Sequence, residues 1–151
     1  MSLDTSATRQ PDVLLIEDSE HDAELTLRVL QRYEFARSVV WVRDGVEALE
    51  YVFGSAEQPM LMADPRVVLL DIKMPRMDGH QVLRRIKGDP RSRHIPVVIL
   101  SSSRVDRDIN ESFSDGANSY VVKPVNFDEF SETVRQISAY WLTINETAGN
   151  R

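Results

Sequence analysis

Five short apolar runs, each five or six residues long, constrain the fold of this 151-residue chain more than any other feature. They are rich in β-branched residues and nearly continuous rather than alternating in polarity, which is typical of strands buried on both faces of a parallel sheet. The runs are DVLLIE (12–17), SVVWV (38–42), RVVLLD (66–71), PVVILS (96–101) and SYVVK (119–123).

Segments with apolar residues three or four positions apart follow each run, and this spacing predicts five helices. The predicted inward faces are Ala23/Leu27/Leu30, Val46/Leu49/Val52, Val82/Leu83/Ile86, Val105/Ile109/Phe113 and Phe127/Phe130/Val134/Ile137/Trp141. Parallel neighbours need right-handed helical crossovers, so the alternation predicts a doubly wound α/β fold. We expect a five-stranded parallel sheet of flavodoxin-like order 2-1-3-4-5, with helices on both faces and a surface loop at 54–65 that carries Met60 and Leu61 as local packing.

The chain length predicts one domain, over residues 12–144, with flexible segments at 1–11 and 145–151. No apolar run is long enough to cross a membrane and no secretory signal is present, so we expect a cytoplasmic protein with no membrane partner. The absence of cysteine excludes disulfides and thiolate metal sites. The net charge of −6, without a basic stripe, argues against nucleic acid as a partner.

Polar residues follow four of the five predicted strands, at the edge where open α/β sheets bind their ligands. They are Glu17 and Asp18, Asp71, Ser101 and Lys123. Each one alone has a simpler explanation, because carboxylates and serines after a strand are commonly helix caps or turn residues and a lysine before proline is unremarkable. Their coincidence at one edge of the sheet predicts a functional site.

Electrostatics indicate what that site binds. Two ionised carboxylates about 4 Å apart repel by roughly 4 kcal/mol at an effective dielectric constant near 20. Glu17, Asp18 and Asp71 therefore need a cation, and a hard divalent ion such as Mg²⁺ suits oxygen ligands. With Lys123 as a fixed cation and Ser101 as a hydrogen-bond donor, these are the parts needed to form an acyl phosphate on an aspartate.

Four motifs together resemble the receiver domain of two-component response regulators: IED (16–18), LLDIKMPRMDG (69–79), IPVVILSS (95–102) and ANSYVVKP (117–124). The resemblance implies that Asp71 accepts a phosphoryl group from a histidine kinase. It also implies that Mg²⁺ is bound by Glu17, Asp18 and Asp71 together with the main-chain carbonyl of Lys73.

The same resemblance assigns roles in signalling. Ser101 and Tyr120 would be a switch pair, and Lys123 would contact the phosphoryl group next to a cis Lys123–Pro124 bond. The signal would pass through the helix 4–strand 5–helix 5 face. Such a protein is not an enzyme and promotes only its own Mg²⁺-dependent phosphorylation and dephosphorylation.

The second half of the chain, residues 117–146, resembles the single-domain receivers that are paired with phytochrome-type histidine kinases. A kinase of this type is therefore the expected partner. Two residues depart from the commonest receiver pattern: Lys73 adds a charge two residues after Asp71, and a serine stands at position 101 instead of threonine. Both departures are expected to alter the lifetime of the phosphoryl group.

The end of the chain carries more apolar residues than one helix face can bury. Tyr140, Trp141, Leu142 and Ile144 therefore predict an interface and a homodimer. The alternative is that the tail folds back over the last helix within one monomer.

Two other functions fit the sequence less well. A metal-dependent phosphohydrolase would need an acid/base carboxylate two residues after Asp71, where Lys73 stands. A binding module that is never phosphorylated would be expected to lose an acidic residue or the lysine of the site. His21, His80 and His94 share no metal-ligand spacing, and no glycine-rich nucleotide motif is present.

Overall fold

The computed structural model describes residues 10–54 and 60–146. Most of the two segments predicted to be flexible, and the first part of the 54–65 loop, lie outside the described residues. Within the rest of that loop, Met60 is exposed, contrary to expectation, whereas Leu61 packs against the core. No helix among the described residues is long and apolar enough to span a membrane.

The sheet has the predicted strands and the predicted order. All neighbours are parallel and follow the sequence β2-β1-β3-β4-β5. The strands are β1 (Val13–Ile16), β2 (Val39–Val42), β3 (Val67–Leu70), β4 (Val97–Ser101) and β5 (Ser119–Val122). Every residue of β1, β3 and β4 is buried, which explains why their sequences are continuously apolar.

Five helices and one terminal π-helical turn complete the fold. They are α1 (Glu20–Arg32), α2 (Gly45–Phe53), α3 (Gly79–Gly88), α4 (Asp106–Ser114), α5 (Phe127–Ala139) and the π-turn (Tyr140–Ile144). Side chains of α2 and α3 pack in one core cluster, and those of α1 and α5 pack in a second. The helices therefore cover both faces of the sheet, as predicted.

Helix α4 does not present the predicted apolar face to the core. Val105 at its N-cap and Phe113 are 58% and 50% exposed, whereas Asp108 and Ser112 are buried. Polar partners satisfy that buried face: Ser112 Oγ donates to Asp108 O at 2.7 Å, and Ser103 Oγ donates to Asp108 Oδ2 at 2.6 Å. Because a buried carboxylate is tolerated when it is hydrogen-bonded and paired, the helix can turn its polar side inward.

The inward face of α5 is shorter than predicted. Phe130, Val134 and Ile137 are buried, but Phe127 is 54% exposed and Trp141 is half-buried. Phe127 is the first helical residue after the N-cap Asn126, so its side chain lies at the rim rather than over the sheet.

The π-turn (Tyr140–Ile144) packs against its own domain. Leu142 is only 4% exposed within the core cluster of α1 and α5, and its carbonyl accepts a hydrogen bond of 2.9 Å from Arg66 Nη2. The predicted apolar interface is therefore wrong in including Leu142, because the π-turn rotates this residue inward. Tyr140 and Ile144 remain exposed on either side of it.

Helix α3 begins in close contact with the loop that follows β3. Gly79 N–H donates to Ile72 O at 3.1 Å, and a Cβ on Gly79 would lie 2.6 Å from Asp71 O. Asp78 caps the helix through a capping box with Gln81. Glycine at 79 is thus required by the backbone that carries Asp71.

We expect Gly79→Ala to lower the free energy of unfolding by about 1–3 kcal/mol, because the added methyl group overlaps backbone that cannot move independently. Gly88→Ala is the matched control at the other end of the same helix, where a Cβ meets nothing within 4 Å. It should be neutral, or stabilising by up to about 1 kcal/mol. Urea unfolding of both variants measures the difference, and equal losses would contradict the close-contact explanation.

Candidate functional site

The carboxyl ends of the strands bring the predicted polar residues together. Glu17, Asp71 and Lys123 each follow a strand, and ladder hydrogen bonds extend one residue beyond the strands to hold them. Glu17 N–H donates to Val42 O at 3.1 Å, Asp71 N–H to Ile16 O at 3.0 Å, and Lys123 N–H to Ser101 O at 2.8 Å. The sheet therefore fixes the backbone of the site.

The acidic residues form a group that could hold a metal ion. One carboxylate oxygen from each of Glu17, Asp18 and Asp71 lies within 4.8 Å of the others. Glu17 and Asp71 are buried, and Asp18 is exposed at the rim. An all-oxygen set of ligands that is open on one side suits a hard divalent cation that retains water ligands.

Lys123 lies at the centre of the carboxylates. Its Nζ donates to Glu17 Oε1 at 2.5 Å and to Asp22 Oδ2 at 2.9 Å, and lies 3.4 Å from Asp71 Oδ2. Asp22 was not among the predicted site residues. A signal was present, since an acidic residue in the first turn of the helix that follows β1 lies near the same sheet edge.

The pKa values of both Glu17 and Lys123 are raised in this cluster. Burial raises the pKa of Glu17 to about 7, despite the opposing effect of the Lys123 charge. Burial also disfavours the Lys123 ammonium, but Asp71 and Glu17 outweigh it, so the pKa of Lys123 is raised. Both shifts show that the cluster favours additional positive charge, which either a proton or a metal cation can supply.

Lys73 directs its side chain away from Asp71. Its Nζ lies 3.1 Å from Asp108 Oδ2 on α4, while its backbone N–H donates to Asp71 Oδ1 at 3.1 Å. The hydrogen bond from Ser103 outweighs burial and, with Lys73, lowers the pKa of Asp108. The ion pair between Lys73 and Asp108 therefore links the β3–α3 loop to α4.

Both predicted switch residues contact Ser103. Ser101 is fully buried, and its Oγ accepts a hydrogen bond from Ser103 N–H at 3.3 Å. Tyr120 is half-buried, and its hydroxyl donates to Ser103 O at 2.9 Å. Ser103 was not among the predicted site residues, because a serine in a loop gives no signal of its own.

The peptide bond between Lys123 and Pro124 is trans, since the described residues contain no cis peptide bond. The cis bond expected from the resemblance is therefore wrong for this structure. A trans bond is the ordinary form before proline, favoured by about 0.5–1 kcal/mol.

The chain is similar in sequence to known proteins of one family. Residues 13–135 match the family described as the response regulator receiver domain. The probable methanogenesis regulatory protein FilR2 of Methanothrix harundinacea is 40% identical over 137 residues, which cover 91% of this chain and 87% of that protein. The response regulator Rcp1 of Synechocystis sp. is 32% identical over 130 residues, covering 86% of this chain and 88% of Rcp1.

Solved structures agree with the fold. The Mn²⁺-bound form of response regulator Rcp1 superposes with a TM-score of 0.81 at 29% identity, covering 94% of this chain and 100% of that one. The phosphorylated cyanobacterial phytochrome response regulator RcpA superposes with a TM-score of 0.81 at 32% identity, covering 95% and 100%.

The contacts of Lys123 predict a large stability effect. In metal-free buffer, Lys123→Met should lower the free energy of unfolding by about 3–5 kcal/mol, because buried carboxylates lose their counter-ion. Combining Lys123→Met with Glu17→Gln should cost less than the sum of the single losses, since the second change removes one of the unpaired charges. Denaturant unfolding of the double-mutant cycle measures this coupling, and strictly additive losses would contradict the ion-pair interpretation.

Proposed function

The chain belongs to the response regulator receiver domain family, and from this premise we propose that it accepts a phosphoryl group on Asp71 from a histidine kinase. A carboxylate oxygen of Asp71 would attack the phosphorus of a phosphohistidine. The new O–P bond forms as the N–P bond breaks, and the imidazole leaves. The observation that carries the proposal is the position of Asp71 at the sheet edge, beside Lys123 and two further carboxylates.

Receiver domains bind a divalent metal ion at an acidic pocket, and the relative Rcp1 has been crystallised with Mn²⁺. We propose that Mg²⁺ is the ion in this chain, held by Glu17, Asp18 and Asp71 with the main-chain carbonyl of Lys73. The three carboxylates supply the oxygen ligands that Mg²⁺ prefers. When bound, the ion would offset the charge of the carboxylates and of the arriving phosphoryl oxygens.

Lys123 and Ser101 would receive the phosphoryl oxygens. The ammonium of Lys123 already lies 3.4 Å from Asp71 Oδ2, and its shorter contacts with Glu17 and Asp22 can be exchanged for a phosphoryl oxygen. The Ser101 hydroxyl lies at the same edge, on the last residue of β4. Such contacts stabilise the acyl phosphate without any further catalytic group, so the protein would promote only its own phosphorylation and dephosphorylation.

The signal would leave through α4, β5 and α5. If Ser101 moves toward a phosphoryl oxygen, its contact with Ser103 changes, and Ser103 is also the hydrogen-bond partner of Tyr120. This shared partner supports the proposal that Ser101 and Tyr120 act as a pair. Exposed apolar residues of this face, including Val105, Phe113 and Phe127, would then meet a protein target.

We propose a phytochrome-type kinase as the partner and the cytoplasm as the location. Support comes from RcpA, which is described as a phytochrome response regulator. FilR2, at 40% identity, is named for a different process, so a kinase unrelated to phytochrome is the alternative. Comparing phosphotransfer rates from a phytochrome kinase and from an unrelated histidine kinase discriminates between the two.

A homodimer remains part of the proposal, with a smaller interface than the sequence predicted. Tyr140 and Ile144 are exposed and Trp141 is half-buried, with its ring edge-on to Tyr140 at 5.0 Å.

We expect Tyr140→Ser with Ile144→Ser to shift a wild-type dimer toward monomer in sedimentation at equal concentration. A wild-type monomer with and without beryllofluoride would contradict the dimer.

Asp71→Asn should abolish labelling by radioactive acetyl phosphate, because the amide cannot form the acyl phosphate. Asp78→Asn is the matched control in the same loop, since asparagine caps a helix as well as aspartate and the fold is retained. Removing divalent ions with a chelator should abolish labelling of both the wild type and the control. Label that survives in Asp71→Asn at wild-type stoichiometry would refute the assignment.

Lys123→Ala should still allow some phosphorylation but weaken the structural response, because the phosphoryl group loses its link to β5. Amide spectra with beryllofluoride and Mg²⁺ should show smaller shifts in α4 and β5 than in the wild type. Lys87→Ala is the control, since its ammonium donates to the backbone carbonyls of Arg93 and Ile95 rather than to a carboxylate of the acidic site. A complete wild-type shift pattern in Lys123→Ala would count against the role of the lysine.

A further inference from the structure

A second group of potential metal ligands lies between α3 and α4, away from the acidic site. It consists of His80 near the start of α3 and of Glu111 and Asp115 at the end of α4. One ligand atom from each residue lies within 4.8 Å of the other two. Glu111 and Asp115 are four residues apart, so both side chains lie on the same face of the helix.

His80 supplies an independent reason to expect a ligand at this position. The residue is only 8% exposed, and neither of its ring nitrogens has a hydrogen-bond partner among the described residues. Its Nε2 lies 3.6 Å from Asp108 Oδ1 and 3.8 Å from Glu111 Oε2, both beyond hydrogen-bond length. Leaving buried polar atoms unsatisfied costs about 1–3 kcal/mol, so a group that bonds to them would be favoured.

Arg84 currently supplies the positive charge that the two carboxylates need. Its Nη1 lies 3.3 Å from Glu111 Oε1 and 3.1 Å from Asp115 Oδ2. The Arg84 side chain is half exposed to solvent, so it can swing outward. A metal ion that reaches His80 would therefore compete with a flexible surface arginine and not with a buried one.

We propose that His80, Glu111 and Asp115 bind a first-row transition-metal ion of the Zn²⁺ class. Imidazole nitrogen with carboxylate oxygens suits such ions, whereas Mg²⁺ favours oxygen alone. Zn–N and Zn–O distances of about 2.0–2.2 Å require the ligand atoms to approach one another by roughly 1 Å. The exposed part of Glu111 permits this movement, and water completes the coordination.

The proposed site differs from the acidic site in chemistry and in position. Glu17, Asp18 and Asp71 offer only oxygen, at the ends of strands, whereas the second site joins two helices through one nitrogen and two oxygens. Mg²⁺ in excess should therefore occupy the first site and leave Zn²⁺ to the second. Spacing among the histidines could not predict it, because only one histidine takes part and its partners lie about thirty residues away.

Equilibrium dialysis of the full chain against Zn²⁺ in excess Mg²⁺ tests the proposal. The wild type should retain one Zn²⁺ per chain, and His80→Gln should weaken binding at least tenfold. His94→Gln is the matched control, since His94 is paired with Asp64 at 2.9 Å and lies outside the cluster. Equal retention by the wild type and His80→Gln, or no retention by the wild type, would overturn the proposal.

Two further variants test the same site independently of whether His80→Gln folds. Glu111→Gln changes a partly exposed residue and should weaken Zn²⁺ binding in the same way. Arg84→Gln removes the competing guanidinium and should strengthen binding several-fold. Co²⁺ as a spectroscopic probe should give visible absorption bands that His80→Gln loses and His94→Gln keeps, and unchanged bands in His80→Gln would contradict the site.

Discussion

The structure depends most on the buried ammonium of Lys123, which is surrounded by the carboxylates of Glu17, Asp22 and Asp71. One positive charge cannot neutralise three negative ones. The strand ends can therefore pack closely only if a further proton or cation offsets the excess negative charge. The raised pKa of Glu17 makes it easier for a proton to neutralise part of this negative charge. A metal ion at Glu17, Asp18 and Asp71 would neutralise it with a divalent positive charge. The repulsion among these carboxylates destabilises this edge of the sheet in the absence of a further cation. The same excess of negative charge makes the edge suitable for binding a metal cation and, with that cation, a phosphoryl group.

The sequence predicted the sheet well because its signal is local and strong. A β-branched run such as Val67–Leu70 must be buried on both faces, and the polar residue that follows must then emerge at the edge. This reasoning correctly placed Glu17, Asp71 and Lys123 side by side. It missed Asp22, because the side chain of a helix residue can point to the site or to solvent and the spacing does not decide between them.

Helix α4 shows where such reasoning fails. Its apolar residues have helical spacing, yet the buried face carries Asp108 and Ser112. The competing factor is a polar contact with a residue far away in sequence, Lys73, which no local periodicity can indicate. Leu142 was misplaced for a related reason, since the π-turn changes the direction of the side chain by adding a residue to the helical turn.

These two kinds of packing give the helices different capacities to move. Helix α5 is held by Phe130, Val134 and Ile137, whose apolar contacts are lost outright if the helix shifts. Helix α4 is held by hydrogen bonds and ion pairs, which can be exchanged for others at little net cost because each charged group can find a new partner or water. Since Lys73 also bonds to Asp71 through its backbone, a change at Asp71 acts directly on the contact that holds α4. A helix that buries polar groups is therefore better suited than an apolar one to respond to chemistry at the sheet edge.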